Sequence, residues 1–229
     1  MDFVGIDKMS LVDFDEYLSI TLFTEGCNFR CPFCHNGALV LNQKNPIIPW
    51  SEIESLLQNR KGKIDAIVIT GGEPLIHPDI IDKIKIIKQY GYLVKLDTNG
   101  TNPKLLKELI ASKLVDFVAI DIKNSPSKYN LTAGVKNANL EAIKESVRYL
   151  IDNKIPHEFR TTIVKEFHIL DDVIEIAKWV KGTSKYVLQH YKDREGCIEN
   201  GFHDIDEETA KQWQKAIIKI IPNTLLRGY

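Results

Sequence analysis

The chain lacks what would tie it to a membrane, a nucleic acid or an oxidising compartment. No run in it approaches the ~20 apolar residues that a spanning helix needs. The first ten residues, MDFVGIDKMS, do not have the basic-then-apolar layout of a signal peptide. Neither sign of charge is in excess. Lys and Arg number 30 against 31 Asp and Glu, a formal net charge of −1, so nothing favours nonspecific binding to nucleic acid or to an anionic membrane. The expectation is a soluble, cytoplasmic protein with no nucleic-acid and no membrane partner. Low-complexity tracts are missing, as are sequence repeats beyond an alternation of strands and helices. Cysteine is scarce, four among 229 residues. Three of the four are crowded together, which is not a disulfide framework and suits a reducing compartment. The hydrophobic fraction, 44%, is close to the globular norm. The length fits one domain, residues 1–229, able to hold a full α/β barrel or an open α/β sheet.

The crowded cysteines are Cys27, Cys31 and Cys34, spaced C-x3-C-x2-C, in a loop straight after the β-rich run Tyr17–Phe23. Thiolates are soft ligands, and three from one loop point to a metal or cluster. Two readings are open at this point. One is structural zinc with His35 as the fourth ligand of a Cys3His site. The other is a four-iron cluster held by three cysteines, which leaves one iron open to a substrate. Structural zinc usually pairs two ligand-bearing turns, and no second C-x2-C or H-x3-H pair occurs. Cys197 is far off in sequence and alone.

Downstream, strand and helix patterns alternate. Residues 38–49, with Asn42, Asn45, Pro46 and Pro49, read as a connector. Pro49-Trp50-Ser51-Glu52 then opens a helix through about Asn59, with Ser51 a candidate cap. Ile64–Thr70 is a nearly continuous apolar run, the look of a strand buried on both faces of a parallel sheet. Further strands are expected at Leu93–Leu96, Phe117–Ile120, Glu158–Val164 and Tyr186–His190. Helices are expected over 78–90, 103–112 (Pro103 in its first turn), 139–153, 171–181 and 206–220. The tail Asn223–Tyr229 is a candidate edge strand. Six strand-then-helix units without a linker mean an α/β fold with a parallel sheet. Right-handed crossovers would curl it into an open, partial (β/α)6 barrel.

In such folds active sites form where strands end, and polar residues lie at the end of every expected strand. The cysteines come after the first, Gly71-Gly72-Glu73-Pro74 after the second, Asp97-Thr98-Asn99-Gly100 after the third and Asp121-Ile122-Lys123 after the fourth. Arg160 lies in the fifth, and Gln189-His190-Tyr191 closes the sixth. Each has a plain structural alternative. Gly-Gly is often only a tight turn, and Asp97 and Asn99 form turns or caps. Asp121 and Lys123 alternate in an extended segment and can pair with each other. Arg160 can be an interior ion-pair partner, and His190 a satisfied core histidine. Gathered at one end with three cysteines, they make a site. An open iron chelates an amino acid, and Gly71 and Gly72 allow close backbone approach. Backbone carbonyls and Glu73 accept from an ammonium. Asp97 and Asp121 suit ribose hydroxyls, a sulfonium charge or a bound cation, and Lys123 and Arg160 offset a carboxylate. S-adenosylmethionine is an amino-acid-bearing, cationic nucleoside that matches this inventory.

C-x3-C-x2-C with Phe33 before the last cysteine, together with Gly71-Gly72-Glu73-Pro74, resembles the radical S-adenosylmethionine superfamily. Within it the chain is similar to the activating enzymes of glycyl-radical enzymes. The matching stretches are Ser10–Asp13, Gly26–Asn36, Leu96–Pro103, Asp121–Lys123 and Glu158–Thr162, and the nearest pattern is the short anaerobic ribonucleoside-triphosphate reductase activating type. The resemblance implies a [4Fe-4S] cluster on Cys27, Cys31 and Cys34. It places Gly72 and its neighbours at the methionine amine, and Phe33 near the adenine. It places Lys123 and Arg160 near the cosubstrate, with Asp97, Thr98 and Asp121 at a monovalent cation or the cosubstrate. His35 becomes a neighbour of the pocket, and His190 departs from the formate-lyase activase pattern by one place. The implied activity is reductive cleavage of S-adenosylmethionine to a 5′-deoxyadenosyl radical that makes a glycyl radical on a partner enzyme. The implied partners are that enzyme and an electron donor such as flavodoxin or ferredoxin. Activation of another glycyl-radical enzyme such as pyruvate formate-lyase, and small-molecule chemistry of the 7-carboxy-7-deazaguanine synthase type, are the alternatives. The loop Lys192–Asp204, with Cys197, is either a partner contact or a plain solvated loop.

Overall fold

A computed structural model describes residues 1–41 and 45–229; the part of the expected connector at Asn42 lies outside them. The chain falls into two compact units. Among the described residues no helix is long and apolar enough to cross a membrane.

The first unit takes residues 1–28, 38–98 and 102–118. Strand β1 (Phe3–Ser10) pairs antiparallel with β2 (Ser19–Thr24), and β3 (Ala66–Gly71) and β4 (Leu93–Thr98) continue the sheet in parallel. The apolar run of β3 is fully buried from Ala66 to Ile69, as expected for a strand covered on both faces. After the short α1 (Gly37–Val40), helices α2 (Trp50–Arg60), α3 (Ile80–Gln89) and α4 (Pro103–Ala111) each turn one apolar stripe inward. Those stripes are Ile53 and Leu57, then Ile80, Ile84 and Ile87, then Leu105, Leu106 and Leu109. Asn102 caps α4 by accepting from the Leu105 amide at 3.2 Å, with Pro103 inside the start. The register of β2 on β3 runs from Ser19 opposite Ala66 to Thr24 opposite Gly71. The start of the cysteine loop and the glycine turn therefore leave the sheet at one level.

The second unit takes residues 29–37, 99–101 and 119–229. Strand β5 (Phe117–Asp121) carries the chain into it, and β6 (His157–Ile163), β7 (Tyr186–His190) and β8 (Thr224–Arg227) pair in parallel. The Ile122 amide donates to the Arg160 carbonyl at 2.9 Å, tying the end of β5 to β6. Helices α5 (Tyr129–Ala133), α6 (Leu140–Asp152), α7 (Leu170–Trp179) and α8 (Glu207–Ile217) alternate with these strands. On β6 the side chains alternate between two faces, and Glu158 is buried on the polar one. Phe159 and Ile163 are fully buried, while Glu158, Arg160 and Thr162 share the other face.

The six expected strand-then-helix units are present, on β2 to β7. Several elements go beyond the sequence pattern, among them the short α1 at the start of residues 38–49, which were expected to be a connector. β1 is an edge strand exposed at Asp7, Lys8 and Met9, and α5 is a single short turn, too brief to show a helical period. The expected tail strand is β8.

Candidate active site

In the first unit, the Gly71–Glu73 turn lies backbone against backbone on Thr24–Gly26, immediately before Cys27. The Gly72 amide donates to the Thr24 carbonyl (2.9 Å) and the Glu73 amide to the Gly26 carbonyl (2.8 Å). A Cβ on Gly72 would lie 1.8 Å from the Gly26 oxygen. Gly71 has φ +113°, and its Cβ would lie 2.4 Å from the Thr24 nitrogen. The glycines are therefore required by the protein's own backbone, whatever ligand also approaches. Glu73 is almost completely buried. Its Oε1 accepts from the Leu75 amide (2.9 Å), capping the 3-10 turn Pro74–Ile76, and from the Thr98 hydroxyl (2.6 Å). The carboxylate is thus first a brace between the turn and the end of β4. Beside it on β4, Lys95 and Asp97 share a face at alternate positions and pair at 3.4 Å, both buried. The Lys95 ammonium also donates to the Asp13 carbonyl. The sequence pattern does not single out Lys95. It supplies Asp97 with a positive charge from the chain itself, at a position where the resemblance implies a monovalent cation.

The second unit carries Cys31 and Cys34; Cys27 belongs to the first. The Cys34 amide donates to the Cys31 carbonyl at 3.0 Å, a tight turn that brings the two residues round on one another. All four cysteines are free thiols. Burial pushes the Cys31 thiol up to about 11 against the opposing pull of Lys123, and burial raises Cys34 as well. Asp121, at the end of β5, accepts from Arg160 Nε (2.6 Å) and from Lys123 Nζ (3.2 Å). Burial alone would raise its carboxyl, but Arg160 and Lys123 hold it below the usual carboxylate range. Lys123 is held above its usual value because Asp121 outweighs the effect of burial. Both structural alternatives for these residues are therefore real: Asp121, Lys123 and Arg160 are an ion-pair network. A small cavity adjoins it, lined by Phe33, Asp121, Ile122, Lys123 and Thr162. Thr162 is an addition to the expected set, although its period-two spacing from Arg160 is a signal for it.

Phe33 is buried against Phe167 and Tyr191, with ring centroids at 5.5 and 6.2 Å. His35 stacks on Tyr191, and its Nε2 lies 2.8 Å from the Lys192 carbonyl. His190 is not part of the cavity lining. Its Nε2 lies 2.7 Å from an Asp204 carboxylate oxygen, and its ring packs on Tyr229. Among the described residues no group of three His, Cys, Asp or Glu side chains is placed as a metal site. What fits an iron-sulfur cluster is the donor set. It consists of free thiols on one loop, two of them desolvated, beside a lysine that lowers the cost of the thiolate form.

The sequence model of the radical SAM superfamily matches residues 21–180. This chain belongs to the radical SAM superfamily. Radical SAM proteins are enzymes that use a [4Fe-4S] cluster with S-adenosylmethionine, which sets the zinc reading aside. Among curated relatives, the chain is 34% identical to the candidate glycyl-radical enzyme activating enzyme MJ1227 of Methanocaldococcus jannaschii, over 97% of this chain and 94% of that protein. It is 30% identical to the pyruvate formate-lyase-activating enzyme of Clostridium pasteurianum, over 82% and 80% of the two chains. Among solved structures, Streptococcus suis SuiB bound to S-adenosylmethionine superposes with a TM-score of 0.72 at 16% identity, over 90% of this chain and 49% of SuiB. That likeness is one of fold: the radical SAM α/β architecture with its parallel sheet.

Proposed function

We propose that this radical SAM enzyme is a glycyl-radical activase acting as a single domain over residues 1–229, with anaerobic ribonucleoside-triphosphate reductase as its partner. In this reading Cys27, Cys31 and Cys34 hold the cluster. When bound, it supplies the electron that breaks the sulfonium S–C5′ bond of S-adenosylmethionine, giving methionine and a 5′-deoxyadenosyl radical. Gly71 and Gly72 keep the turn flat against Thr24–Gly26, so that backbone carbonyls and Glu73 can meet the methionine amine. Lys123 and Arg160, which pair with Asp121 (and Arg160 also with Glu158 at 3.8 Å), turn their donors to the methionine carboxylate. Phe33 offers its ring to the adenine, with His35 at the pocket margin. Asp97, Thr98 and Asp121 serve ribose hydroxyls, the sulfonium or a monovalent cation. His190 is left out of this assignment, because its Nε2 lies against Asp204 and its ring packs on Tyr229. An electron donor such as flavodoxin or ferredoxin completes the system, in the cytoplasm.

The observation that carries this reading is the pair of cations at Asp121 in the cavity beside Phe33, on a chain that matches a candidate glycyl-radical enzyme activating enzyme nearly end to end. The pyruvate formate-lyase-activating relative supports a second reading, in which the partner is that lyase. Anaerobic reconstitution with iron and sulfide, then addition of dithionite and S-adenosylmethionine, tests the radical step. The expected result is a brown protein releasing 5′-deoxyadenosine and methionine in equal amounts, with serine at Cys27, Cys31 or Cys34 abolishing both. A colourless protein that releases neither sinks the proposal.

A further inference from the structure

The segment Asp193–Gly201 comes after β7 and is mostly exposed, yet it is held to the cysteine loop by three backbone hydrogen bonds. The Gly37 amide donates to the Gly196 carbonyl (2.9 Å), the Ile198 amide to the Cys34 carbonyl (3.2 Å), and the Glu199 amide to the Pro32 carbonyl (2.8 Å). The Asp193 carboxylate ties the two ends of the segment together, accepting from the Tyr191 hydroxyl (3.0 Å) and the Gly201 amide (3.1 Å). His203 fastens the chain beyond Gly201 to the residues after β6: its carbonyl accepts from the Lys165 amide at 2.9 Å, and its ring meets the Glu166 carboxylate. The cysteine loop is also held by α5. The Arg30 amide donates to the Ala133 carbonyl (2.9 Å), and a Cβ on Gly134, at φ +65°, would lie 1.9 Å from the Arg30 oxygen.

We infer that Asp193–Gly201 is a strap that fixes the backbone carrying Cys31 and Cys34, and that Gly37 is the positioning residue that lets the strap seat. The inference rests on the reading that these cysteines hold the cluster. A Cβ on Gly37 would lie 2.6 Å from the Gly196 oxygen and 3.2 Å from the Ile198 nitrogen, both in the strap. The backbone of Gly37 itself is not left-handed, so alanine there disturbs the strap and little else. A solvated loop would satisfy these amides with water and would not need a glycine opposite it. With Pro32, Cys34 and Gly37 tied down, the two thiols are set before iron arrives, as a preorganised ligand loop requires. The strap also brings the Cys197 sulfur 3.9 Å from the Phe33 carbonyl.

The test compares wild type with Gly37→Ala and Glu199→Pro, the second removing one strap donor and turning the proline ring toward the Pro32 carbonyl. In apoprotein, amide exchange at residues 37 and 198 is expected to accelerate about tenfold or more in either variant, with the β3 and β7 core amides unchanged. In reconstituted protein, iron release to a chelator under argon should accelerate about threefold or more and the reduced-cluster resonance should shift, as for a ligand loop no longer held in place. Unchanged exchange and unchanged iron release in both variants overturn the strap. If wild type takes up no cluster, the functional reading fails, and the exchange data still decide whether the strap exists.

Discussion

The glycine turn of the first unit and the part of the cysteine loop in the second, Phe29–Gly37, are both bent backbones, and they are held differently. The turn Gly71–Glu73 is braced by neighbours in the sheet: Thr24 directly opposite in register, and Thr98 at the end of the next strand. Its carboxylate is buried, and one oxygen braces the turn against Thr98 and the Leu75 amide. The cysteine loop has no such frame on the strap side. It is held by the backbone of Gly196 to Glu199, a segment that is itself largely in solvent. The first arrangement makes the turn part of the folding core. The second makes the ligand loop a separate, weaker unit, whose loosening costs little stability and much geometry.

This contrast can be broken or sharpened by substitution, beginning where the largest effect is expected. Lys95→Met leaves the Asp97 carboxylate buried without its ammonium, and should lower the urea unfolding free energy by about 3–5 kcal/mol. Adding Asp97→Asn should recover part of that. A loss below about 1 kcal/mol would mean that the pair is hydrated and no part of the core. Gly72→Ala drives a methyl into the Gly26 carbonyl and should cost about 2–3 kcal/mol, seen as a fall of about 6 °C or more in melting temperature. If Gly72→Ala melts like wild type while Gly37→Ala unfolds the apoprotein, the comparison is the wrong way round. Thr98→Val removes a buried hydroxyl donor from Glu73, and should cost about 1–2 kcal/mol by the same urea titration.

The smallest effect on stability belongs to the second unit's charges, and its pH dependence lies in acid. Asp121 is lowered in the folded state, so its contribution is present above its unfolded value of about 3.9 and is lost as pH falls below it. Asp121→Asn should therefore flatten the acid side of a melting-temperature profile and leave its slope above pH 6 unchanged. Parallel acid limbs in the two proteins would show that Arg160 and Lys123 do not depend on ionised Asp121.

The same contrast explains what the sequence discloses. Residues set by local pattern are readable in it. The run Ala66–Ile69 marks a buried strand, Asp121 and Lys123 a shared face, and Gly71-Gly72 a turn. Lys95 escapes because a lysine in a strand ordinarily reads as surface, although its spacing from Asp97 is the same signal as that of Asp121 and Lys123. The partners of His190 are Asp204 and Tyr229, and no pattern around position 190 encodes them. Gly37 and Gly134 look like ordinary loop glycines. Their constraint is the backbone of a distant segment, which leaves no mark on residue types. β1 escapes because it is exposed at Asp7, Lys8 and Met9, and its pairing with β2 is what makes it a strand.

The measurement that bears most directly on the central claim is electron paramagnetic resonance of an anaerobic mixture. It would contain the reconstituted enzyme, S-adenosylmethionine, a chemical or flavodoxin reductant and a candidate anaerobic ribonucleoside-triphosphate reductase. The account predicts a glycyl doublet on the reductase that grows with 5′-deoxyadenosine and is absent when Cys31 is replaced by serine. Release of 5′-deoxyadenosine without any doublet on the reductase would contradict it.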